Sequence, residues 1–519
     1  MFNQIRYYLC TFVALLTATT LHADLTIGQL SQQDQINYHI LSRMTFGPTP
    51  QALSSIQKLG AEQWIKNQLN PSQISTANID TRCKIDFPSL YMPLTDAIRT
   101  YNPPYTKASN SPKDQKRRNR LRSEIQSELR NFVIFRAANS ERQFEEVILN
   151  FWRNHFAIDQ TKDNVAFYAP DFENTLRTHA FGRFDQLLLA TAKHPAMLFY
   201  LDNHISQKPL SPREEKQVAA AERRNAPKAK SLRALERQRG LNENYARELM
   251  ELHTLGVDNG YTQQDVTDLA RALTGWTAAW STKRAQADPK AVYNFHFNTK
   301  VHDSKPKYVL GSRLTGSTRV TEGSNIILKL AHHPNTARFI SFKLCQYLVD
   351  DQPPEGLVTE IASVFTQSKG NLKKVYKAIL FSDDFLRADH YRSKFRTPFE
   401  FTIASLRATN ASISRYDSLI YAMNSMGQNL YRCPDPTGYY DFAEAWLDPG
   451  VMIYRWQFAE NLANNRIKGV RTSPIKPNQL ANYIDTQTAT QILMLKLKPD
   501  LSSANYTALI LGSPDFQSQ

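Results

Sequence analysis

The chain has 519 residues, 41% hydrophobic and 21% charged, a balance that excludes a disordered protein and fits a packed globular one. Its formal net charge is +15, yet two segments carry +12 of it: Lys107–Arg122, with seven Lys/Arg and one acid, and Ser206–Gly240, with ten Lys/Arg and four Glu. Basic charge can signal nucleic acid, but no recognition motif is present and an exported protein, as this chain reads below, rarely meets it, so no nucleic-acid partner is expected. The two segments read as solvated basic insertions, at 104–123 and 206–240, or as contacts for an anionic envelope polymer or lipid headgroups.

In chain order, residues 1–23 read as a secretory signal. Arg6 supplies the positive start, Leu9–Leu16 the apolar run, and Leu21-His22-Ala23 a cleavage site before Asp24. The run is short of the roughly 20 residues a membrane span needs, which favours a cleaved signal over a retained anchor and a periplasmic address. No later segment reaches that length. From 24 to 519 the chain reads as one helical domain. Cys10 leaves with the signal; Cys345 lies in an apolar helix, and Cys83 and Cys433 form the only sensible pair.

Helical periodicity dominates. Helices are expected at Gln35–Met44 and, opened by Thr49-Pro50, just beyond it; then at Glu62–Leu69. Pro71–Pro112 is mixed. Arg120–Phe156 reads as a long helix broken near Asn139-Ser140. Phe172–Phe181, Asp185–Ala192, His194–Leu201, Ala337–Val349 after His333-Pro334, Phe399–Thr409, Glu444–Leu447, Val451–Asn464 and Asp485–Leu497 follow. The clearest strand is Tyr293–Phe297, which with Lys307–Leu310 suggests one small hairpin. The fold class is all-α, with that minor β excursion.

The densest run of chemistry-bearing residues is Asn244–His253. On a helix over Glu243–Leu255, Asn244, Glu248, Glu251 and Leu255 share one face, with Arg247 beside it; His253 lies with the apolar residues opposite. Glu251 and His253 are about 160° apart, so this helix cannot form an HExxH zinc site. The polar face is either a solvated one with Glu243–Arg247–Glu251 pairs or a site in which Arg247 holds an anion and Glu248 serves as acid or base. His155, in Phe151-Trp152-Arg153-Asn154-His155-Phe156, also points inward. His302-Asp303 falls in the turn of the expected hairpin and is a weak signal alone. Thr262–Asp265 reads as a helix cap rather than a calcium loop. Cys433–Tyr440, followed by Trp446, Arg455 and Trp456, is a rigid aromatic loop suited to sugar stacking or to core packing. Phosphate-binding, covalent-haem and serine-nucleophile motifs are absent; non-covalent haem needs one histidine and stays open.

His39–Pro50, Phe151–Phe156, Leu241–Val266, Leu269–Trp276, His302-Asp303, His333–Leu344, Lys394–Phe401 and Pro434–Trp446 together resemble the exported bacterial family called domain of unknown function 1800, over nearly the whole mature chain. The resemblance brings no settled activity. It implies export and a sulfatase-like exported protein from a neighbouring gene as partner or co-consumer of substrate. Relatives often carry His where this chain has Arg153, and the basic insertions look particular to this branch. The resulting expectation is a cell-envelope hydrolase or modifying enzyme acting on surface polymer, with Glu248, Arg247, Asn244 and His155 catalytic. Glu251, Asn154, His302, Asp303 and Arg153 would contact substrate or ligand, and no metal or cofactor is assigned. The alternatives are a non-catalytic envelope assembly or binding protein and, last, a metal- or haem-dependent oxidase.

Overall fold

The computed structural model describes residues 31–103, 111–224, 240–278, 293–314, 319–476 and 502–519, with isolated positions between 479 and 492. Residues 1–23, expected to be a signal, and most of the helix expected over Asp485–Leu497 lie outside these, as do 104–110 and 225–239 of the two basic segments.

The described residues form an all-α fold with three small antiparallel strand pairs. Local sequence sets the helix starts. Thr49 caps Pro50–Leu59, with Pro50 at a position where its missing N–H is harmless. Ser111 and Asp114 form a capping box that opens Pro112–Asn139 eight residues before the expected Arg120. The basic residues from Lys113 to Arg122 therefore occupy the first turns of a 28-residue helix. The break comes at Ser140, as the sequence suggests, and Gln143–His155 follows. The mixed stretch contains helices Ala77–Asp86 and Leu94–Tyr101.

His194-Pro195 and His333-Pro334 share a device beyond proline. Each imidazole Nδ1 caps its own helix, accepting from Ala196 N (3.1 Å) and from Asn335 N (3.2 Å). The long helices pack their apolar faces into a contiguous core that includes Trp152, Phe172, Tyr245, Trp276 and Tyr376.

The expected hairpin is corrected. Phe295–Phe297 pairs with Trp276–Ala278, because the buried Trp276 ring takes Phe295 edge-on at 5.1 Å, a larger apolar gain than Tyr308 and Val309 offer. Tyr308–Val309 instead pairs with Ser312–Arg313 across Leu310-Gly311. Both turn residues have positive φ (48° and 68°), the backbone a two-residue hairpin turn demands. The pairing of Cys83 with Cys433 is also corrected: all three described cysteines are free and buried. No helix of the described residues is long and apolar enough to cross a membrane.

Candidate functional site

Helices Pro112–Asn139, Gln143–His155 and Val165–His179 bring Arg136, Glu146, Arg153, Glu173 and Arg177 into one buried ionic network. Arg177 forks onto both Glu146 oxygens (2.9 and 2.7 Å), and Arg136 Nε donates to the same carboxylate at 2.9 Å. Arg153 Nε donates to Glu173 Oε2 at 2.8 Å, which also accepts from Tyr431 OH at 2.6 Å. Burial alone pushes a carboxyl up; the guanidiniums overcome it and hold Glu146 down at about 2 and Glu173 below its ordinary value. Arg153 is thus first a structural cation, but its Nη1 remains buried without a partner.

The next residue reaches the other way. Asn154 Nδ2 donates to Tyr439 O, and Tyr439 N donates back to Asn154 Oδ1, both at 2.7 Å. This side-chain amide stands in for a peptide and fastens the 433–441 loop to the helix. Gly438 allows the approach: its φ is 73°, and a Cβ there would meet Asn154 O at 2.4 Å. Tyr200 OH donates to Cys433 O (3.2 Å), and Tyr439 OH accepts from Asn429 N (2.9 Å), so the loop is held at several points.

His155 and His253 are neighbours, with ring centroids 6.1 Å apart, and His155 Nε2 meets His253 O at 3.3 Å. Both are buried. Burial first, and then the Lys343 charge, holds His253 down at about 3 and His155 well below its ordinary value, so both rings are neutral at pH 7. Lys343 is itself lowered by burial, with Asp441 opposing; Asp441 is pushed up to about 6 by burial against Lys343 and Lys394.

The Asn244–Glu251 helix is shorter than the expected Glu243–Leu255. After Glu251 the chain widens: His253 N donates to Glu248 O and Leu255 N to Met250 O, each five residues back, at 3.0 and 2.7 Å. The added rotation buries Leu255, which an ideal helix would place on the polar face. His253 stays inward as expected. Arg247 makes the pairs of a solvated face, with Glu251 at 3.3 Å and Glu243 at 3.8 Å, and donates to Gln263 at 2.7 Å. Asn244 is exposed. Glu248 differs from both. It is partly buried, and burial, then Glu251, then Asp435 of the loop, push its carboxyl up to about 7. Among the described residues it has no salt bridge.

His302 and Asp303 belong elsewhere. They lie beyond Phe295–Phe297, not in a hairpin turn joining it to Tyr308–Val309. His302 Nδ1 contacts Thr274 O at 2.9 Å, and its Nε2 lies 3.2 Å from Glu322. Asp303 takes Arg271 Nε at 2.8 Å. Lys307 Nζ completes this buried network on Glu322 at 2.9 Å. Its partners are those of a structural joint between helix Gln263–Leu273, helix Arg319–Ala331 and the strands.

The structure therefore brings Arg153, Asn154 and Glu248 to the 433–441 loop, sets Glu251 beside Glu248 and Arg247 and His155 beside His253, and leaves His302 and Asp303 outside. Sequence reasoning missed Asp435, Asp441, Lys343, Glu146 and Glu173. Asp435 lies in the aromatic loop already singled out and Asp441 directly follows it; the others sit in amphipathic helices where a charge reads as solvated. Among the described residues no group of three His, Cys, Asp or Glu is placed to hold a metal ion.

A large helical protein whose polar centre is walled by a clamped loop is the class this geometry defines. The chain belongs to the family described as "Protein of unknown function (DUF1800)", whose model matches residues 39–518. No curated protein and no solved structure matches it.

Proposed function

We propose that this protein is an exported, periplasmic enzyme that hydrolyses or modifies a cell-surface polymer by acid–base chemistry, with Glu248 as the proton donor and acceptor. One observation carries the reading. Glu248 is a partly buried carboxyl, pushed up to about 7, that faces the Asp435 loop with no salt bridge of its own among the described residues. A group that titrates near the working pH is half loaded with its proton and exchanges it at least cost. Burial, and then the like charges of Glu251 and Asp435, keep it there. Asn154 acts through the loop, setting where Asp435 stands. Arg247, spent on Glu251 and Gln263, positions the helix face. A sulfatase-like exported protein would share the substrate.

Glu248→Gln tests this in complementation of a knockout. Folded but inactive protein supports the assignment; full complementation removes Glu248 from catalysis. A second reading, a binding protein without turnover, is favoured by exposed Tyr440, Tyr454 and Trp456, rings that can stack on sugars. Deleting Lys107–Arg122, or replacing Tyr440 and Trp456 with Ala, separates the two: a scaffold loses its partner, whereas an enzyme keeps most of its turnover.

A further inference from the structure

The first turns of helix Pro112–Asn139 stand clear of the core. No residue from Pro112 to Glu124 is buried, and the helix reaches its first buried side chain only at Ile125. At 1.5 Å per residue these positions make an exposed rod about 20 Å long. Its base is fixed by Arg122. The Nη2 of that residue donates to Thr161 O at 2.9 Å and to Asp163 O at 2.5 Å, and its guanidinium lies 5.8 Å from the Phe167 ring centre. The rod is thus held out rigidly from the body.

Its charge is one-sided. Lys113, Lys116, Arg117 and Arg120 fall at i, i+3, i+4 and i+7, within an arc of about 100° on the helix surface. All four are exposed, and none of their side chains has a partner among the described residues. Asp114, the one acid before Glu124, is spent on capping the helix with Ser111. This stripe works against its own helix. Like charges three and four residues apart repel each other, and cations in the first turn oppose the macrodipole. The counter-charge that would relieve it has to come from outside the chain. The exposed residues from Lys113 to Glu124 are Lys, Arg, Gln, Asn, Ser and Glu, with no ring to stack on a sugar and no apolar side chain to enter a partner's pocket. A convex row of cations suits charge spread over a plane. We infer that this stripe adsorbs the protein to an anionic lipid surface, the four cations resting on headgroup phosphates without entering the acyl layer.

The test is co-sedimentation of the purified full chain with vesicles of phosphatidylglycerol mixed into phosphatidylcholine, and with vesicles of phosphatidylcholine alone. The parent should bind only the anionic vesicles, and more weakly by about tenfold or more when NaCl is raised from about 0.05 to about 0.5 M. Each Lys or Arg at such a surface is worth about fivefold in partitioning. A variant with Lys113→Gln, Lys116→Gln, Arg117→Gln and Arg120→Gln together should therefore bind about a hundredfold more weakly or worse. A charge-matched control with Lys58→Gln, Lys300→Gln, Lys305→Gln and Lys468→Gln loses exposed cations elsewhere and should fall by less than about fivefold. Because the stripe opposes its helix, the stripe variant should melt no lower than the parent, which separates lost binding from lost fold. No binding by the parent, equal binding to phosphatidylcholine alone, insensitivity to salt, or equal binding by the two variants each overturns the inference. So does soluble polygalacturonate bound more tightly than the anionic vesicles at equal charge, which would make the partner a polymer. Turnover plays no part in the readout, so Glu248→Gln should bind the vesicles as the parent does. Full activity of that variant sinks the catalytic reading while leaving this one standing.

Discussion

Glu248→Gln should make the protein more stable, by a margin that opens above pH 4.5 and is complete above about pH 7. In the folded chain the carboxyl keeps its proton up to about 7, whereas an ordinary glutamate releases it at 4.5. Between those values the folded state binds more protons than the unfolded state, so Glu248 draws stability down as pH rises from 4.5 through 7. The full displacement corresponds to about 3 kcal/mol at about 1.4 kcal/mol per pH unit. Glu248 is only partly buried, and solvent screening reduces this to about 1–2 kcal/mol. Gln keeps the shape and never ionises. Urea unfolding midpoints should therefore coincide for both proteins at pH 4 and separate by about 1–2 kcal/mol in favour of Gln at pH 8. A variant that is less stable than the parent at pH 8, by the same margin as at pH 4, would show that the carboxylate makes a net favourable contact. The case for a poised acid would then collapse. The expected pairing of gained stability with lost function is the signature of a site kept strained for chemistry.

Glu173→Gln should cost about 3–5 kcal/mol, read by denaturant titration, because it leaves Arg153 and Arg177 buried with a missing charge. Glu146, held at about 2, gives stability that is complete above 4.5 and lost as pH falls toward 2; Glu146→Gln should flatten that acid limb. His253 is held at about 3, so its contribution is present above 6.5 and lost as pH falls from 6.5 toward 3; His253→Gln should shrink the loss of midpoint over that window. Gly438→Ala should displace the loop, since its Cβ would stand 2.4 Å from Asn154 O, and should abolish complementation at a stability cost of about 1–3 kcal/mol. Asp303→Asn should lower the melting temperature through Arg271 yet leave substrate affinity intact, and a change in affinity would return Asp303 to the site.

The helical class and most helix starts were legible because they rest on local chemistry: Thr49 before Pro50, Thr262 with Asp265, and the break at Ser140 are short-range signals. Strand partners were not. Phe295 faces Trp276, and 16 residues separate Ala278 from that strand's first residue, so the pairing is decided by a buried aromatic contact rather than by proximity. Inward orientation was legible for His155 and His253, whose apolar neighbours fix the face. Their meeting was not, since it depends on how two helices far apart in sequence cross. Arg153 beside Asn154 looked like one feature, but a helix turns about 100° per residue. One side chain enters the ionic network and the next grips the loop.

The Asn154 clamp also sets the tempo of binding. Releasing the 433–441 loop would break its two bonds to Tyr439 and those of Tyr200 and Tyr439 OH. At about 1 kcal/mol each, four such bonds put the open form near one molecule in a thousand. Ligand should consequently meet a wall already built, arriving in a single association phase whose rate rises linearly with concentration and shows no plateau from slow closure.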